Sequence, residues 1–227
     1  MMGTLFLYFS IKKWYNMKQL KGRFSVGSDD MNNIIVITGP SGVGKTTLQK
    51  YLKEELGIKP LICATTRNRR EDDNLNEIKC ITEEEFLNLS SKNKFFFYSG
   101  DYYKYGYFYP EIQSSLNSFV TSYRDLPEIL NKSTENLNVF SLVLAFSDIE
   151  KNMRERLEQR QNNSSEEIDL RIKFALKDFK DNFAFAEETA DLLIFTDKVN
   201  INEMCELSKN KLYNSFDNQK VLSLRRI

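Results

Sequence analysis

The sequence predicts an α/β fold in three layers, with a parallel core sheet between helices. Three observations carry that expectation. Ile34-Ile-Val-Ile-Thr38 is an unbroken, mostly β-branched run, as expected of a strand buried on both faces. It leads through a glycine-rich turn straight into a helical period. Strands then alternate with helices to the end of the chain, which favours right-handed crossovers onto one sheet.

Each element follows from local pattern. After the glycine-rich turn, Leu48, Leu52 and Leu56 recur at i+4, predicting a helix over 45–56 with Gly57 as its C-cap. Pro60-Leu-Ile-Cys-Ala64 is the next apolar piece. Residues 67–110 read as a small insertion: charged to Lys79, a short helix near 83–89, then Phe95-Phe-Phe-Tyr98 and a tyrosine cluster. Strands are expected at 119–122 and 139–146. Ser147-Asp-Ile-Glu150 reads as a capping box, with Ser147 as N-cap and Glu150 at N3, opening a helix to about Arg160. A polar break at 161–165 precedes a long helix over 166–186. A last strand is expected at 192–195 and a last helix at 201–213.

Composition narrows the function. The 227 residues are 41% hydrophobic and 28% charged, an ordinary globular balance for one domain with insertions or a tail. Lys+Arg and Asp+Glu are both 32, so no net charge recruits nucleic acid or an anionic membrane. Histidine is absent, which removes Ser-His-Asp and Cys-His catalysis and His-ligated metals. Cys63, Cys80 and Cys205 are scattered without a CxxC pair, fitting reduced thiols of a cytoplasmic protein. The apolar run Leu5-Phe-Leu-Tyr-Phe9 is shorter than the roughly 20 residues a membrane span needs, and its lysines follow it rather than precede it. Residues 1–30 are therefore expected to be an extension before the domain at 31–216, with 217–227 as a tail.

The chemistry starts at Gly39-Pro40-Ser41-Gly42-Val43-Gly44-Lys45-Thr46-Thr47, which meets the pattern Gly-x4-Gly-Lys-[Ser/Thr] in full. Glycines let successive backbone N–H groups turn inward as an anion nest, and the following helix adds its positive end. Lys45 is expected to reach the β/γ-phosphates of ATP and the Thr46 hydroxyl to ligate Mg²⁺. Strand before and helix after are the context this motif requires, and they make the fold a P-loop NTPase fold.

Phosphoryl transfer needs positioning and charge neutralisation more than covalent chemistry, so arginines are the next residues to find. Ala64-Thr-Thr-Arg67-Asn-Arg69-Arg70 places three guanidiniums in four residues; the alternative is a solvated charge cluster. Arg154, Arg156 and Arg160, with Arg171 on the next helix, flank the polar break. They read as a lid at about 154–171, or else as the charged faces of a surface helix pair.

Over about 32–213 the chain resembles the guanylate-kinase family. The resemblance rests on the phosphate loop, Thr65-Thr-Arg67-x-x-Arg70, Thr82-Glu-Glu-Glu-Phe86, Tyr105-Gly106, Arg156-Leu-x-x-Arg160, Glu166-Glu-Ile168 and Arg171. It implies that Arg67, Arg70 and Tyr105 hold the phosphate of a small-molecule acceptor. Arg156, Arg160 and Arg171 would close over ATP, neutralising the transferring group with Lys45. The function implied is an ATP-dependent kinase acting on a nucleoside monophosphate. A non-catalytic guanylate-kinase-like binding module is the reading from another class.

The departures fall on the base-reading parts. A second phosphate-binding tyrosine of the family falls at Ile78. Cys63 stands where the family has a serine, Phe96 near its guanine-reading glutamate, and Tyr107 after the Tyr-Gly pair. Thr121 and Tyr123 replace strand-end aspartates. The pattern is also similar to ribose 1,5-bisphosphate phosphokinase, on Ser122-Tyr-Arg124-Asp-Leu-Pro127. These substitutions lead to the expectation that GMP is not the preferred acceptor, with Glu77 or Asp101 as substitutes for the missing glutamate if it is. Asp101 and Asp125 are the nearest carboxylates for orienting an acceptor hydroxyl or the metal's water, or else ordinary turn residues.

Overall fold

The computed structural model describes residues 32–70, 73–100, 103–109, 116–133, 137–159 and 164–215. In chain order its elements are β1 (Asn32–Thr38), α1 (Lys45–Leu56), β2 (Lys59–Pro60), β3 (Cys63–Thr65), β4 (Ile78–Cys80), α2 (Glu83–Ser91), β5 (Phe95–Ser99) and β6 (Tyr105–Phe108). There follow β7 (Leu116–Thr121), a 3₁₀ turn (Tyr123–Asp125), α3 (Leu126–Asn131), β8 (Leu137–Ala145), α4 (Ile149–Glu158), α5 (Ser165–Thr189), β9 (Leu192–Phe195) and α6 (Ile201–Ser215). The expectations for 1–30, for 217–227, for Asp101 and for Arg160 lie outside the described residues.

Alternation along β1 builds the layers. Ile35 and Ile37 pack with Leu48, Leu52 and Leu56 of α1 and with Met204 and Leu212 of α6. Ile34 and Val36 face the other way, onto Leu126 and Ile129 of α3 and Ala186 of α5. Between these layers lies a wholly parallel sheet in the order β2-β7-β1-β8-β9. The predicted three-layer fold is thus present. No helix of the described residues is long and apolar enough to cross a membrane.

The insertion is a second sheet, in the order β4-β3-β6-β5. One face is covered by α2, whose Phe86 packs on Ala64 and Phe95. Thr82 and Glu85 form a reciprocal capping box at the start of that helix. The opposite face, through Cys63, Phe97 and Tyr107, joins Phe119 of the core sheet in one continuous apolar cluster. A β-bulge between Phe95 and Phe97 turns both Phe96 and Phe97 into this cluster.

Two local expectations are corrected. The apolar piece 60–64 is split: Leu61 and Ile62 lie between β2, paired to β7, and β3, paired into the small sheet. The N-cap of α4 is Asp148, which accepts from Lys151 N–H at 3.1 Å, and not Ser147. Ser147 instead bonds Asp197 through its hydroxyl and through its backbone N–H at 2.9 Å. A nearby carboxylate outcompetes the local box. The end of α4 at Glu158, with Gln159 as C-cap, agrees with the expected end at about Arg160.

Candidate active site

The phosphate loop leaves the C-terminal end of β1. Gly39 N–H donates to Thr121 of β7 at 3.3 Å. A side chain at Gly39 would put its Cβ 2.4 Å from the Leu144 carbonyl oxygen, so the close approach of loop to β8 requires glycine. Gly44, at φ 105°, is the N-cap of α1 and supplies no side-chain cap. No acidic residue stands in the first turn, so the opening N–H groups of α1 are left for an anion. The Lys45 ammonium arches over the loop onto the carbonyls of Gly39 at 2.7 Å and Pro40 at 2.9 Å. Thr46 and Thr47 are exposed beside it, whereas Val43 anchors the loop in the core. This cradle suits a nucleotide phosphate, and the Thr46 hydroxyl is the hard oxygen ligand that Mg²⁺ takes.

From α4, Arg156 reaches the loop. Its Nη1 donates to Gly42 O at 3.2 Å and its Nη2 to Thr196 O at 3.3 Å, with the guanidinium 5.1 Å from the Phe146 ring centroid. Arg154 bridges to Asp169 of α5 at 2.7 Å, tying the two helices together. Arg171 pairs with Glu167 at 2.5 Å.

Arg67 is only 7% exposed and grips Asp73 with two hydrogen bonds, at 2.7 and 2.5 Å. Desolvation works against its charge, but the hydrogen bonds and charge of Asp73 more than offset it and hold the guanidinium's pKa above its usual value. The same pair pulls the Asp73 carboxyl below the carboxylate range. Asp73 also accepts from Arg70 N–H at 2.8 Å, so one carboxylate fixes both arginines. Arg70 lies among like charges: desolvation, then Arg67 and Arg171, lower its pKa, with Tyr105 opposing. Arg67, Arg70, Tyr105 and Arg171 therefore share one electrostatic neighbourhood, in which three guanidiniums outnumber the paired carboxylates Asp73 and Glu167 and leave charge for an anion.

The positions that the sequence offered for reading the base are packed side chains. Cys63 and Tyr107 are registered partners in β3 and β6, both buried. Burial pushes the Cys63 thiol up to about 12, and the Tyr107 hydroxyl is spent on the Val120 carbonyl. Phe96 packs edge-on against Phe119 and Tyr109. All three report on core packing, so the expectation about GMP drawn from them loses its basis. Glu77 is not a substitute reader either, being paired with Lys53 at the far end of α1. Tyr123, fully buried, donates to Leu144 O at 2.6 Å beneath the loop.

Two groups were not legible. Asp73 sits in a charged segment where nothing singles it out. Ser99 donates to Asp125 at 2.9 Å, a juxtaposition 26 residues apart in the chain.

A family model described as guanylate kinase matches residues 31–206. A guanylate kinase of Fusobacterium nucleatum is 28% identical over 194 residues, covering 82% of this chain and 96% of its own. One from Prochlorococcus marinus is 32% identical over 154 residues, covering 63% of this chain and 80% of its own. A crystal structure of guanylate kinase from Anaplasma phagocytophilum superimposes with a TM-score of 0.60 at 19% identity, over 82% of this chain and 86% of that one, a likeness of fold. The family match and the curated relatives support a nucleoside-monophosphate kinase. They give no support to a ribose-phosphate acceptor or to a binding module without catalysis. With its phosphate loop, its arginines and its two sheets in place, the chain belongs to the guanylate kinase family and is an ATP-dependent phosphotransferase.

Proposed function

We propose that this chain transfers the γ-phosphoryl group of ATP to a guanine nucleoside monophosphate. The observation that carries the reading is the presence of two sets of groups suited to phosphate. Besides the anion cradle at Gly39–Thr47, the guanidiniums of Arg67, Arg70 and Arg171 share a neighbourhood with the Tyr105 hydroxyl, braced by Asp73. Two cationic subsites suit a donor and an acceptor that both bear phosphate.

In this reading Gly39, Pro40, Ser41, Gly42, Val43, Gly44, Lys45, Thr46 and Thr47 wrap the ATP phosphates, and Thr46 holds Mg²⁺. Arg67, Arg70 and Tyr105 bind the acceptor phosphate. Lys45, Arg156, Arg160 and Arg171 neutralise the charge that spreads over the transferring group. Magnesium held at Thr46 would supply Lewis-acid chemistry, offsetting negative charge on the transferring phosphoryl group. The three cysteines are free thiols, which suits a cytoplasmic enzyme.

The test is ADP release with Mg-ATP and GMP, dGMP, AMP, UMP or ribose phosphates. GMP and dGMP are expected to lead by about tenfold or more in kcat/KM. A ribose phosphate leading the panel would overturn the proposal.

A further inference from the structure

We propose that Asp125 is the carboxylate by which this chain selects guanine, a role that rests on the guanine-nucleotide reading above. The argument begins with register. Cys63, Tyr107 and Phe97 form one row across the small sheet, on the face that closes on Phe119. Two residues along each strand, Thr65, Tyr105 and Ser99 form the next row on that face. The first row is sealed by aromatic packing. The second row carries three hydroxyls, and Ser99 reaches across to the 3₁₀ turn of the core.

On the core side of that contact stands Asp125, 7% exposed. Its Oδ2 accepts from the hydroxyls of Ser99 at 2.9 Å, Ser122 at 2.8 Å and Thr121. The Ser122 N–H adds a long contact at 3.4 Å. Its Oδ1 has the Arg124 Nε at 3.5 Å, beyond a good hydrogen bond. One oxygen is thus saturated and fixes the carboxylate, while the other keeps acceptor capacity. Thr38, the registered neighbour of Thr121 in β1, adds a fully buried hydroxyl with no partner among the described residues. This polar group lies at the carboxyl ends of β1 and β7, where open α/β sheets bind their ligands.

Guanine presents N1–H and its 2-amino group side by side, two donors that a carboxylate oxygen accepts. Adenine presents a lone pair at N1, which a carboxylate repels. Among the described residues, Asp73 is committed to Arg67, and Glu77 is paired with Lys53 at the far end of α1. An unmatched buried carboxylate discriminates strongly, because its desolvation goes uncompensated by the wrong base.

The experiment compares the wild-type chain, Asp125→Asn, Asp125→Glu and Ser99→Ala in kcat/KM for GMP and AMP, with melting temperature and ATP-induced stabilisation recorded for each. Asp125→Asn is expected to lower the GMP/AMP ratio by about tenfold or more, since an amide can donate to adenine N1. Ser99→Ala loosens the contact but leaves the carboxylate, and should keep the ratio within about threefold of wild type. Should Asp125→Asn fail to fold, Asp125→Glu decides, because it moves the carboxylate by one methylene and should lower the ratio likewise. A wild-type chain that prefers GMP, with an unchanged ratio in the folded Asp125 variant, overturns this inference and leaves the proposed function standing. A wild-type chain that phosphorylates no nucleoside monophosphate overturns both.

Discussion

At the scale of single residues, the chemistry concentrates where charge is fixed in advance. Lys45 is held by two carbonyls of its own loop, so Lys45→Ala should fold normally while turnover falls by orders of magnitude. Retention of more than about a tenth of the wild-type rate, roughly 1.4 kcal/mol, would remove Lys45 from the machinery. Asp73 offers a pH test. Its carboxyl pKa is depressed by Arg67, so the pair stabilises the fold above the unfolded value of about 3.9 and ceases to as pH falls through the lower folded value. Breaking such a buried pair costs about 3–5 kcal/mol. Asp73→Asn should therefore lie well below wild type in urea at pH 7, and the gap should close below about pH 4. A gap that is constant with pH would mean that the charge of Asp73 does not matter. The loop was legible because its chemistry is contiguous. Asp73 and Ser99 were not, and Asp125 was singled out only for an acceptor hydroxyl or the metal's water, because their meaning lies in partners brought by tertiary structure.

At the scale of elements, periodicity located every long helix and core strand, and α1 to the residue, since Gly57 ends it with φ 68° and caps it with its own N–H. What pattern missed were devices that depend on a neighbour. The β5 bulge turns both Phe96 and Phe97 into the core, so the position offered as a base reader is a packed one. The 3₁₀ turn carrying Tyr123, Arg124 and Asp125 takes its cap from 55 residues on: Asp178 of α5 accepts from Tyr123 N–H at 3.0 Å and Arg124 N–H at 2.9 Å. Burial pushes that carboxyl above the carboxylate range, against the three hydrogen bonds it accepts. Asp178→Ala would leave both N–H groups without this partner and should cost about 1–3 kcal/mol. Because the turn positions Asp125, the same variant should raise KM for the acceptor more than KM for ATP. Equal effects on both constants would show that α5 supports the fold without aligning the turn.

At the scale of the whole molecule, the two sheets form one cooperative body rather than a core with a loosely hinged insertion. The seam is aromatic: Phe119, fully buried in β7, meets Phe96, Phe97 and Tyr107 of the small sheet with ring centroids 4.9–6.1 Å apart. Polar ties run beside it, from Tyr107 to Val120 and from Ser99 to Asp125. The small sheet is thus held against the core sheet before any ligand arrives, while the Arg154–Asp169 bridge ties α4 to α5. Phe119→Ala tests the seam. Truncating a buried Phe costs about 3–5 kcal/mol, and a domain of this size loses about 2–4 °C in Tm per kcal/mol. The variant should melt in a single transition roughly 6–20 °C below wild type. GMP binding should weaken with it, because the row bearing Tyr105 and Ser99 is no longer held to the turn. Calorimetry resolving two transitions in the wild-type chain, one for each sheet, would show that the seam does not unite them.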